Sequence, residues 1–98
     1  MIIITGSVLA RSDTIDSLRE VGLAHVHRSR LEPGCISHDV HVDVEDERHF
    51  VFVETWSDRA AVAAHFAVPA SIEFVKAVRR LAAEPPVIRV YTAEPVEM

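Results

Sequence analysis

At 98 residues the chain is long enough for one domain and too short for two, so residues 1–98 are expected to fold as a single unit. With 49% apolar and 26% charged residues, it does not fit the disordered, collagen-like or coiled-coil classes. A formal charge of −5 with no basic run argues against nucleic acid or an anionic membrane surface as partner.

Ile2 to Ala10 opens the chain as an apolar, β-branched run. It lacks the basic flank and the length of a signal peptide, and it falls well short of the ~20 residues of a membrane span, so it reads as a strand. Arg11 to Thr14 supplies polar residues able to cap a helix. Ile15, Leu18, Val21, Gly22, His25 and Val26 then recur at helical spacing, and Pro33-Gly34 ends that segment with a turn. From Cys35 to Val44 the pattern alternates: Ile36, His38, Val40 and Val42 point one way, and Ser37, Asp39, His41 and Asp43 the other.

A polar link, Glu45 to Arg48, leads into a third strand from His49 to Trp56, and two strands so joined make a hairpin. This strand is apolar on both sides, with Phe50, Phe52 and Trp56 on one and Val51 and Val53 on the other. It therefore needs covering from both sides. Ser57-Asp58 caps a second helix through Phe66, with Val62, His65 and Phe66 as its inner stripe. Pro69 starts a further short helix with Phe74, Val75, Val78 and Leu81 inward, and Pro85-Pro86 breaks it before a last strand, Val87 to Ala93.

The order β-α-β-β-α-β predicts an α+β, ferredoxin-like domain: a four-stranded antiparallel sheet with its helices on one face. The other face would then expose an apolar patch, and a second copy of the chain is the simplest cover.

Three segments carry a family resemblance: Glu32-Pro33-Gly34-Cys35-Ile36-Ser37, then Phe50 to Asp58 (FVFVETWSD), then Ala64-His65-Phe66. Together they resemble the antibiotic biosynthesis monooxygenase (ABM) domain. That resemblance implies a dimeric α/β barrel in which two ferredoxin-like sheets pack face to face. It also implies, for some members, oxidation of phenols or quinols by molecular oxygen with no metal or flavin, and for others haem degradation. The quinone-forming branch carries an Asn where this chain has Phe52, a His matching His41, and a Tyr falling at Val62. The haem-degrading branch uses residues that fall at Ser7, His65 and Val75, so haem degradation is disfavoured.

Candidate chemistry gathers on few residues. Glu54 and Trp56 lie two apart on a strand and share a face, so an indole wall and a carboxylate able to take a phenolic proton stand together. Glu54 paired with an arginine and Trp56 as a core aromatic is the competing reading. His65, on an apolar helix face, is either a general base or a satisfied core histidine. His38 is a second candidate base. Phe52, Phe66 and Val62 would wall a pocket for a small aromatic, with His41 as a further contact.

No histidine pair has chelating spacing along the sequence, so no metal is expected, and no flavin or haem either. Cys35, the only cysteine, cannot form an internal disulfide and reads as a buried thiol in a reducing, cytoplasmic setting. Two functions from different classes remain open: a cofactor-independent monooxygenase of small phenols, quinols or polyketide-like aromatics, and a non-enzymatic dimeric domain that binds a small molecule or serves a stress response.

Overall fold

The computed structural model describes residues 1–98. Strands β1 (Ile2–Leu9), β2 (Cys35–Asp43), β3 (Asp46–Trp56) and β4 (Val87–Thr92) form one antiparallel sheet in the order β2-β3-β1-β4. Helices α1 (Ile15–Ser29), α2 (Arg59–Ala67) and α3 (Pro69–Leu81) complete the order β-α-β-β-α-α-β. This is the ferredoxin-like arrangement expected, with one difference of proportion. The helix opened by Pro69 is not short: at 13 residues it exceeds α2, which has 9. No single helix is long and apolar enough to cross a membrane.

The core lies between the sheet and the helices. Val8, Leu18, Val26, Phe50, Phe52 and Val78 form one buried cluster, and Ile2, Ile4, Trp56 and Val62 form a second. Phe52 reaches α1 because residue 22 is glycine. A Cβ there would stand 3.1 Å from the Phe52 ring, so the helix packs closely only without one. The Asp58 side chain accepts from the Ala61 N–H at 2.8 Å and starts α2 as its sequence predicts. Thr14 acts differently. Its hydroxyl accepts from the Arg11 N–H and donates to the Leu81 carbonyl, tying the start of α1 to the end of α3.

Three expected inward positions are corrected. Ile36 lies outward and exposed, because the β2–β3 register slips between Cys35 and Ser37. That bulge puts Cys35, opposite Trp56, on the same side as His38. Phe66 and Val75 are nearly half exposed, since α2 and α3 sit over β3 and β1 and leave β4 uncovered. All six β4 residues are exposed, those directed to the helix side, Ile88 and Val90, included.

Candidate functional site

Strand alternation brings Glu54 and Trp56 to the helix side of β3, and register places His38 on β2 directly beside Glu54. The Trp56 Nε1–H donates to Glu54 Oε1 at 2.9 Å. The same oxygen lies 3.2 Å from His38 Nε2 and 3.7 Å from His65 Nε2. His65 descends from α2, where it shares a buried stripe with Val62, one turn earlier. Its Nδ1 meets Glu32 Oε1 at 2.9 Å, from the turn that joins α1 to β2. A carboxylate only accepts, so whenever the ring is neutral its proton sits on Nδ1 and the lone pair on Nε2.

His25 closes the group from α1, its ring centroid 5.1 Å from His38 and 5.3 Å from His65. It stacks flat on Phe74 at 3.8 Å, and the Arg28 guanidinium donates to its Nδ1 at 2.8 Å. Burial first, then the neighbouring His38, His65 and Arg28 charges, pull the His25 imidazole from 6.5 down to about 3. It is neutral at physiological pH.

Above this floor opens a cavity of about 300 Å³ between the helices and β4. Glu54, His25 and His65 lie at its base, and Phe66, Val75 and Ile88 form apolar walls. A second cavity of about 170 Å³, lined by Phe52 and Val78, shares His25 and Glu54 with it. An apolar slot over an imidazole with a free lone pair and a buried carboxylate can hold a planar aromatic and take its proton.

The sequence profile of antibiotic biosynthesis monooxygenases matches residues 1–84. The chain belongs to this family. An uncharacterised protein of Synechocystis sp., sll1783, is 33% identical over 90 residues, 92% of this chain. The match spans only 61% of that relative's length. Among solved structures, an antibiotic biosynthesis monooxygenase shares 28% identity at TM-score 0.89, covering 97% of this chain and all of that one. A Deinococcus radiodurans protein provisionally given the same name shares 26% at TM-score 0.93, covering 100% and 98% of the two chains.

Within this ABM chain the expected site residues part company. Glu54, His38 and His65 converge, and Trp56 meets His65 at a ring separation of 4.5 Å. Phe52 and Phe66 line the cavities. Trp56 does not form an open wall: it is 0% exposed, under His65, and its contribution is the N–H that orients Glu54. Val62 packs against that indole's cluster and lies outside both cavities. His41 is exposed on the opposite face of the sheet, opposite Val51, because it lies an odd number of residues from His38. Glu54 has no arginine partner; histidines and an indole surround it.

Glu32 and His25 went unrecognised in the sequence. Glu32 stands in the Glu-Pro-Gly-Cys segment, where it reads as part of a turn, and His25 reads only as one residue of a helix face. His49, at the start of the apolar part of β3, bridges Ser7 Oγ (2.6 Å) and Asp43 Oδ2 (3.3 Å).

Cys35 is half-buried, and burial together with the Glu54 and Glu32 charges raises its thiol above the ordinary range. Iodoacetamide at pH 7.5 should therefore label Cys35 more slowly in the native chain than in the urea-unfolded one. Equal rates would contradict the placement.

His25 makes the fold acid-sensitive. Its folded value of about 3 lies below the unfolded 6.5, so the unfolded chain binds the proton first as pH falls. The contribution is complete above about 6.5 and is lost progressively from there down to about 3. Between pH 7 and 4.5, urea unfolding should show a loss on the order of 2–3 kcal/mol, largely abolished in His25→Gln.

Proposed function

We propose that this chain is a cofactor-independent monooxygenase acting on a small electron-rich aromatic (a phenol, a quinol or a polyketide-like ring). The observation that carries the reading is the Glu32–His65 pair beneath the apolar cleft, which leaves His65 Nε2 free as acceptor. Nε2 takes the phenolic proton, and the resulting anion is electron-rich enough to react with oxygen. For a phenol with a free para carbon the sum balances as phenol plus O2 to quinone plus water. The substrate supplies four electrons, one oxygen atom becomes the new carbonyl, and the other leaves in water. Glu54, held by Trp56, stabilises the imidazolium that forms.

Oxygen-electrode measurements on a panel of naphthols and hydroquinones, with no added cofactor, test this. Uptake that saturates with substrate supports it. Tight binding of an aromatic with no oxygen uptake would instead favour the non-enzymatic binding domain.

The reading includes a homodimer formed by packing of the two open sheet faces. Val51 and Val53 are half-buried there without a covering layer, and Val87 and Tyr91 on the same face are about half exposed. Such an interface should bury more than ~2,000 Å². Light scattering at micromolar concentration should give twice the chain mass, and Val53→Asp should lower assembly and folding yield together. A monodisperse single-chain species in the parent protein would sink the dimer.

A further inference from the structure

We propose that His38, His65 and Glu54 form a binding site for one divalent transition-metal ion, and that its occupancy switches off the base chemistry of the same site. The donor atoms already converge: Glu54 Oε1 lies 3.2 Å from His38 Nε2 and 3.7 Å from His65 Nε2. A metal held at about 2.0–2.2 Å from each donor sets neighbouring donors roughly 3.0–3.5 Å apart. Two imidazoles and one carboxylate on one side of an ion, with the remaining positions open, suit Fe²⁺, Co²⁺ or Zn²⁺. One ring nitrogen each of His25, His38 and His65 lies within 4.8 Å of the others, so the two proposed imidazole ligands stand in one cluster.

Two independent features support a cation here. Both ring nitrogens of His38 are buried without a hydrogen-bond partner, for its 3.2 Å approach to Glu54 lacks the alignment of a hydrogen bond. A buried polar group so placed calls for a partner, which an ion or a water can supply. In addition, Glu54 is buried and Glu32 partly buried, with no lysine or arginine bonded to either carboxylate. A divalent ion bound by Glu54 balances both, and Glu32 on His65 Nδ1 is the carboxylate–histidine–metal relay that holds a ligating ring in its tautomer.

His25 stands apart from the donor set. Arg28 donates to its Nδ1, so its neutral ring keeps the proton on Nε2 and has no lone pair to give. The spacing along the sequence gives no warning of such a site, because its ligands come from β2, β3 and α2. The metal takes the Nε2 lone pair of His65 that proton abstraction requires, so the metal-bound chain is the inactive one.

Chelator-stripped protein titrated with Co²⁺ should develop visible absorption that saturates at one ion per chain and is displaced by Zn²⁺. In the unmutated protein Co²⁺ should broaden the His38 and His65 ring signals in NMR and spare His41. Glu54→Gln and His38→Ala should each weaken binding at least tenfold, and Glu32→Gln roughly tenfold. No saturable absorption, or Co²⁺ binding that leaves the His38 and His65 signals sharp, would overturn the proposal, whether or not the three variants fold. The titration contains no aromatic substrate, so it stands apart from the oxygenation reading. If oxygen uptake is found, one equivalent of Zn²⁺ should suppress it and a chelator restore it; uptake unchanged with Zn²⁺ bound would overturn the switch.

Discussion

His65→Ala should turn over an electron-rich phenol at least about 10²-fold more slowly than the parent chain, the typical loss when a general base is removed. The loss should fall on kcat, because the apolar walls proposed to bind the ring are untouched. Stability should drop as well, on the order of 1–3 kcal/mol. His65 is the hydrogen-bond partner of Glu32 and a neighbour of Glu54, and both would remain in the interior without it. Activity therefore has to be normalised to folded protein. Glu32→Gln is the sharper variant. It keeps the shape but replaces an obligate acceptor by an amide that can also donate, so the Nε2 lone pair is no longer assured. Its turnover should fall roughly tenfold or more with little change in KM or melting. If both variants retain parental kcat per folded molecule, His65 is a packing residue.

Gly34→Ala should destabilise the chain by about 2–5 kcal/mol and cost it most of its folded yield. Gly34 has φ +83°, a conformation that costs an L side chain roughly 1–2 kcal/mol. Its Cβ would also stand 2.5 Å from Ala61 Cβ and 2.8 Å from Ser57 Oγ, a clash with the first turn of α2 that adds about 1–3 kcal/mol. The turn is not incidental to the site. It sets Glu32 beneath His65, and the Ser57 N–H donates to the Gly34 carbonyl at 2.8 Å, joining the turn to the end of β3. Chemical denaturation of Gly34→Ala against the parent measures the effect, and a change under 1 kcal/mol would show that the turn can rearrange.

The sheet and its helices were legible because their signals are local. Strict alternation marks β2, two-sided apolarity marks β3, and Asp58 and Pro69 mark the two later helix starts. Convergence of Glu54, Trp56 and His65 was legible too, since strand period and helical stripe both point inward. Glu32 and His25 were not, because their partners lie 33 residues away or across three elements, and neither a turn nor a helix face shows which side chain it will meet. The reading of Phe66 failed for a related reason. Its burial depends on a layer over β4 that the single chain does not supply, and sequence periodicity carries no information on where a helix stops covering the sheet.

The uncovered edge strand has a kinetic consequence. In the single chain β4 is held by hydrogen bonds to β1 on one side, and all six of its residues are exposed. Its ladder can open without breaching the core, so amides from Val87 to Thr92 should exchange with deuterium through local openings, far faster than those of β1 and β3. Each opening lifts Ile88 from the mouth of the cleft. Entry and exit of the planar ligand proposed above would then be timed by the fraying of a strand rather than by a lid loop, and the proposed dimer contact on β4 would slow that clock.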